Sequence, residues 1–359
     1  MDMVTGILFV IGFFLLVGGA ELLVRGASSL AVTAGITPLV VGLTVVAYGT
    51  SAPELAVGVQ SALTGSADIA LGNVIGSNIA NVLFILGLSS LVTPLVVSRQ
   101  IVRQEVPFMI ALSLLVLLMG WDGVISRLDG TILVLGGIVY SVYIIQASRQ
   151  ESKANQAIGG DDLPAPVSGI QAILLQLALV VTGLGLLILG ANWLVNGAVV
   201  LAHYFGLSEL IIGLTIIAVG TSLPEAATSI IATMRGQRDI VVGNAIGSNI
   251  FNILLVLGST AMVAPQGIEI APSALYFDIP IMIAVAFACL PIFFTDYSID
   301  RWEGALFLAY YIAYIIYLIL NASYHDLVPL FDTVMLLFVI PITVITIGLS
   351  VRQAIKTHH

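Results

Sequence analysis

Charge is what this sequence has least of. Only 9% of its 359 residues are Asp, Glu, Lys or Arg, against 59% hydrophobic, whereas a soluble domain carries about 25% charged residues. A water-soluble globular protein is therefore excluded, and a mean hydropathy of +1.12 makes hydrocarbon the solvent for most of the chain. Dense basic runs are missing, since the 11 Lys and Arg are scattered, which excludes a nucleic-acid surface. The single cysteine, Cys289, excludes an intrachain disulfide and any cysteine-based metal or redox motif. HExxH and other nucleophile–base signatures are absent, so nothing asks for an enzyme or a cofactor. The net charge of -9 sits mostly in short connecting loops and implies no protein partner.

What the chain does have is length in its apolar runs. A spanning helix needs roughly 20 mostly apolar residues, and eleven runs qualify, at about 3–24, 36–63, 69–97, 105–121, 128–147, 169–195, 207–234, 240–264, 273–295, 302–321 and 327–350. The first lacks the basic flank of a secretory signal and is expected to stay as a helix. The most polar linker, Ser148 to Gly169, follows the fifth run and is too short for a folded soluble domain. With an outside N-terminus, Arg25, Arg99, Arg103, Arg149, Lys153, Arg235, Arg238, Arg301, Arg352 and Lys356 all fall in the cytoplasm, and only Arg127 falls outside. That split fixes the expected orientation, with lipid as the surroundings and the C-terminus cytoplasmic. The expected location is the plasma membrane, which is the inner membrane in a Gram-negative cell.

The chain also repeats itself at an offset of 171 residues. "GLTVVAYGTSAPELAVG", from Gly42, aligns with "GLTIIAVGTSLPEAATS" at 10 of 17 positions, and "GNVIGSNIAN", from Gly72, aligns with "GNAIGSNIFN" at 8 of 10. Five spans per copy is an odd number, so the second copy enters the membrane upside down. The loops agree: Thr64 and Ala67 correspond to Arg235 and Arg238, while Arg25, Arg99 and Arg103 correspond to Asn196, Ile270 and Ala274. The expected fold is an all-α polytopic membrane protein of two inverted five-helix repeats plus one extra C-terminal helix. Residues 1–148 form the first repeat, 149–168 a cytoplasmic linker, 169–321 the second repeat, and 322–359 the appended helix and tail. Inverted repeats of this kind build secondary transporters, with sites near the midplane where the repeats meet.

Each copy carries a carboxylate beside a helix breaker. Pro53 and Pro224 lack an N–H and crowd the carbonyls of Gly49 and Gly220, and freed carbonyls at membrane depth are tolerated only inside protein or beside a wet cavity. Carbonyl oxygens, hydroxyls and the carboxylates of Glu54 and Glu225 then cluster as hard oxygen ligands, suited to Na⁺, Ca²⁺ or Mg²⁺. Asn73, Ser77 and Asn81 share one helix face at i, i+4, i+8, and Asn244, Ser248 and Asn252 repeat the stripe. Gly72 with Gly76, and Gly243 with Gly247, form GxxxG pairs that let helices approach closely. Two carboxylates balance one Ca²⁺ or two Na⁺, so a single cage that holds either set exchanges one for the other. Protons compete for the same pair, and acid is expected to inhibit. A passive channel and an intramembrane acid–base hydrolase using the two Glu are the other classes. A channel needs no counter-ion on the opposite face, and a hydrolase lacks its nucleophile–base signature here.

These four motifs resemble the two alpha repeats of the sodium/calcium exchanger family, in the cation/calcium exchanger superfamily, over about residues 5–320. The resemblance implies ten core helices, alternating access around a central site, and Ca²⁺ and Na⁺ as the transported ions. By motif position it implies that Glu54 and Glu225 are the shared carboxylates and that Thr50 and Thr221 give backbone oxygens to Ca²⁺. Ser51, Ser77, Ser222 and Ser248, with the Ala47 and Ala218 carbonyls, then resemble Na⁺ ligands, and Asn81 and Asn252 line the centre. Asn252 is Asp in some relatives, including the potassium-dependent branch, so the amide argues against K⁺ cotransport. The proton-coupled branch resembles GNxxE where this chain has Gly76 and Gly247. Proton/calcium, potassium-dependent and Na⁺/Mg²⁺ antiport are the runners-up to Na⁺-driven Ca²⁺ extrusion.

Overall fold

The computed structural model describes residues 3–65, 67–157, 170–205, 218–323 and 327–357. Helices account for nearly all of it. They are α1 (Met3–Ala34), α2 (Pro38–Thr50), α3 (Ala52–Leu63), α4 (Ile69–Val92), α5 (Ile101–Met119), α6 (Arg127–Ala157) and α7 (Ile170–Tyr204). There follow α8 (Ala218–Thr221), α9 (Leu223–Met234), α10 (Arg238–Val263), α11 (Ala274–Phe294), α12 (Arg301–Ala322) and α13 (Val328–Gly348). Among the described residues, 9 helices are long and apolar enough to cross a membrane, and 10 if α2 and α3, bent by 43°, count as one span. The expected seventh span falls on α8 and α9, and its stretch 207–217 lies outside the described residues. Three helices outrun their expected ends: α1 reaches Ala34 against about 24, α7 reaches Tyr204 against about 195, and α6 runs on to Ala157, through half of the polar linker. That stretch has no Gly or Pro until Gly159, and Gln, Glu, Lys and Ala sustain a helix wherever water solvates their side chains.

The inversion is visible where α1 meets α7. A Cβ on Gly19 would stand 2.7 Å from the Gly183 carbonyl, and one on Gly190 would stand 2.7 Å from that of Gly12. The early glycine of α1 faces the late glycine of α7, so these two equivalent helices cross antiparallel, backbone against backbone. Only glycine permits so close an approach. The helix starts are duplicated as well. Ser126 and Asp129 cap α6 reciprocally, at 2.9 and 3.2 Å, and Asp300 and Glu303 form a capping box on α12.

Two short ribbons, outside the expectation of helices alone, tie the halves together. β1 (Leu95–Val96) pairs antiparallel with β4 (Ser298–Ile299), and β2 (Val124–Ile125) with β3 (Ile268–Glu269). Counting crossings puts the two ribbons on opposite faces. Arg99 stacks over Tyr297, 5.6 Å from its ring centre, beside the first ribbon. Arg127 reaches the Ala264 carbonyl at 2.8 Å beside the second. At the centre, α4 and α10 are the most buried spans. Both contain a wide π-type turn at the matching place, Asn81–Leu86 and Asn252–Leu257. Such turns inside α-helices are rare and gather at functional sites.

Candidate cation site

Each broken helix is interrupted at its serine. Ser51 (φ -82, ψ 5) ends α2, and Ser222 (φ -88, ψ 6) ends α8, nearly the same conformation in both halves. Pro53 and Pro224 then occupy the first turns of α3 and α9, where an N–H would have no intrahelical partner anyway. The break therefore falls between the crowded glycine carbonyl and the proline, and it sets Glu54 and Glu225 in the first turn of a new helix.

Both carboxylates are buried, at 0% and 1% exposure. Ser77 donates to Glu54 Oε1 at 3.4 Å, and Ser51 donates to Glu225 Oε1 at 3.3 Å. Ser222, one turn before Glu225, lies 3.5 Å from the Ser77 hydroxyl. The ring of contacts crosses from one repeat to the other and back, so the two glutamates share one site. Among the described residues, the second oxygens of Glu54 and Glu225, Asn81 Oδ1, Asn252 Oδ1 and Ser248 Oγ are buried without a hydrogen-bond partner. Confining an ion in a protein interior costs several kcal/mol unless it is compensated. Two carboxylates with three neutral oxygens supply hard ligands for a hard cation.

The threonines are held from the opposite repeat. The Thr50 hydroxyl lies 3.2 Å from Asn244 Oδ1, and the Thr221 hydroxyl lies 3.3 Å from Asn73 Oδ1. Asn73 and Asn244 thus fix the broken helices, while Asn81 and Asn252 on the same stripes keep an oxygen open. The Ala47 carbonyl accepts the Ser51 amide at 3.0 Å and lies 3.5 Å from the Thr50 hydroxyl. Ala218 opens α8. The second GxxxG pair does press helices together, a Cβ on Gly243 standing 2.7 Å from the Leu39 carbonyl of α2, whereas none of the described atoms lies within 4 Å of a Cβ on Gly72 or Gly76 of the first pair.

Two residues of the site escaped the sequence reading. Asn78 and Asn249 lie inside the duplicated motif but off the i, i+4, i+8 face. They hydrogen-bond each other's backbone and the side chains of Asn81 and Asn252. Their identity at the 171 offset was the available signal.

Comparison with known proteins agrees with this geometry. The family described as sodium/calcium exchanger protein matches residues 4–146 and 175–320. Inner membrane protein YrbG of Escherichia coli (strain K12) is 39% identical over 250 residues, spanning 68% of this chain and 75% of its own. The sodium/calcium exchanger MaX1 of Methanosarcina acetivorans is 30% identical over 311 residues, spanning 76% of this chain and 86% of its own. Among solved structures, the sodium-calcium exchanger NCX_Mj soaked with Na⁺ and Sr²⁺ superimposes with a TM-score of 0.75 at 28% identity, covering 88% of this chain and 99% of that one. The matched stretches take in both copies of the duplicated motifs, and α13 lies beyond them. The protein is a multi-pass membrane transporter rather than an enzyme, and it belongs to the sodium/calcium exchanger family.

Proposed function

We propose that this transporter exchanges Na⁺ for Ca²⁺ by alternating access at the cage between its repeats, extruding Ca²⁺ with the energy of the Na⁺ gradient. The observation that carries the reading is the pair of buried glutamates, each with one oxygen that no donor satisfies. Together they balance one Ca²⁺ or two Na⁺. Thr50 and Thr221 give backbone oxygens to Ca²⁺. Ser51, Ser77, Ser222 and Ser248, with the Ala47 and Ala218 carbonyls, serve Na⁺, and Asn81 and Asn252 serve the centre. The first repeat ends near residue 148 and the second near 321. The face that holds Arg99 and the β1–β4 ribbon is cytoplasmic, because the basic residues gather there, so the N-terminus is outside and the membrane is the plasma membrane.

A proton-coupled cage with a carboxylate at the GxxxG position finds no support here. A Cβ on Gly247 would stand 2.7 Å from the Leu43 Cα and 2.8 Å from its carbonyl, which leaves no room for a glutamate there, whereas none of the described atoms lies within 4 Å of one on Gly76. The test is Ca²⁺ uptake into proteoliposomes loaded with Na⁺ and diluted into Na⁺-free medium. Uptake should need internal Na⁺ and vanish in Glu54→Gln and Glu225→Gln. Uptake driven by a pH gradient alone, or by internal K⁺, would overturn the Na⁺ coupling.

A further inference from the structure

We infer that Asn78 and Asn249 are positioning residues that decide which end of each cage amide, Asn81 and Asn252, faces the cation. The inference rests on the cage reading above. A primary amide is ambiguous at an ion site: its oxygen is a ligand, while its NH₂ repels a cation. Something must hold Asn81 and Asn252 the right way round. Both are buried, at 1% and 0% exposure, where solvent cannot do it.

The structure supplies the holder at the crossing of α4 and α10. Asn249 Nδ2 donates to the Asn78 carbonyl at 3.2 Å, and Asn78 Nδ2 donates to the Asn249 carbonyl at 3.4 Å. These reciprocal bonds consume the donor end of each residue and leave its Oδ1 as an acceptor with a fixed direction. Asn81 Nδ2 donates to Asn249 Oδ1 at 3.0 Å, and Asn252 Nδ2 donates to Asn78 Oδ1 at 3.1 Å. With their NH₂ groups held, Asn81 and Asn252 turn their oxygens away, and those oxygens have no other partner. Flipping a cage amide would set oxygen against oxygen with no proton between them. It would also turn the NH₂ toward the cation.

Packing keeps the holders from rotating in turn. Met109 Sδ lies 3.3 Å from Asn249 Nδ2, and Met282 Sδ lies 3.6 Å from Asn78 Nδ2, weak acceptors at matching places on α5 and α11. All four asparagine bonds cross between the repeats, so the ligand face of each half is set by the other half.

The test is a double-variant cycle read by the half-saturating Ca²⁺ concentration of Na⁺-driven uptake, with the thermal unfolding midpoint of each variant as a control. Asn249→Ala should raise half-saturation about five- to twenty-fold, the scale of one lost polar contact. It should add little to Asn81→Ala, because both remove the same oriented oxygen, yet multiply with Asn252→Ala. Asn78→Ala should show the reverse pairing. Equal multiplication with both partners, or unchanged half-saturation in Asn249→Ala, would overturn the assignment. If Asn81→Ala and Asn252→Ala both retain ordinary half-saturation, the cage reading falls and this inference falls with it. Asn249→Ser and Asn78→Ser stand in if the alanine variants do not fold. Loss of folded protein in all four would make the pair a structural pin and refute a positioning role.

Discussion

Asn73 and Asn244 occupy the same motif position, yet replacing them should have unequal cost. Both accept a threonine hydroxyl from the opposite repeat. Asn244 also donates to Ser229 Oγ at 3.2 Å and to the Glu225 carbonyl at 3.5 Å. The residue equivalent to Ser229 at the 171 offset is Gly58, and Asn73 Nδ2 is buried with no partner. A net hydrogen bond contributes about 0.5–1.5 kcal/mol. The 3.2 Å bond counts in full and the 3.5 Å one is marginal. Asn244→Ala should therefore destabilise by about 1–2 kcal/mol more than Asn73→Ala, and the fuller burial of Asn244 acts in the same direction. Per kcal/mol, a domain of 150–250 residues shifts its Tm by about 2–4 °C. In this longer chain the difference should be a few degrees in detergent, read by the fluorescence of the 3 tryptophans. Ser229→Gly should make the second half resemble the first, and combining it with Asn244→Ala should cost less than the sum of the two. Equal midpoints for the two alanine variants, or a lower one for Asn73→Ala, would refute the reasoning.

The helix crossing makes a second prediction. A Cβ at Gly183 would meet backbone atoms of α1 at 2.6 and 2.8 Å, whereas none of the described atoms lies within 4 Å of one at Gly185. Gly183→Ala should destabilise by about 1–3 kcal/mol through overpacking, and Gly185→Ala should stabilise by several tenths through helix propensity; thermal unfolding of the pair checks the sign. Acid tests the cage itself. Protons bind the anionic carboxylates that Ca²⁺ needs, so lowering the pH should raise half-saturating Ca²⁺ while high Ca²⁺ restores the rate. Inhibition that saturating Ca²⁺ leaves untouched would place the titrating group elsewhere.

Most of the candidate cage was legible because duplication repeats its chemistry. A lone Glu beside Pro reads equally well as a kink, but Glu54 and Glu225 at one offset, each followed by the same Asn–Ser–Asn stripe, do not. What escaped was what depends on the partner helix. Asn78 and Asn249 act across the crossing of α4 and α10, and no periodicity along one helix shows which residues meet there. The π-type turns at Asn81 and Asn252 escaped for a related reason. They shift the helix register by one residue, and apolar composition in lipid is indifferent to register. The ribbons are only two residues per strand, too short for alternation to show.

The symmetry also fails in an ordered way. Two halves of identical sequence, inserted in opposite senses, would present identical faces to two different solutions. The chain keeps its symmetry where the pairs form one site: Thr50 with Asn244 mirrors Thr221 with Asn73, and the four asparagine bonds mirror one another. It gives symmetry up at the periphery. Tyr48 bonds Ser141 in the first half, where the second half has Val219 and, counted from the matching helix caps Ser126 and Asp300, Ile315. Glu21 pairs with Arg25 and Arg235 on one face, and its counterparts Asn192, Asn196 and Thr64 carry no charge. An exposed ion pair contributes only about 0–1 kcal/mol, so such differences tilt the balance between the faces without closing either one. Under the exchange reading this division follows from the task. One cage must accept the same ions from both sides, whereas the surfaces around it meet different potentials and different salts.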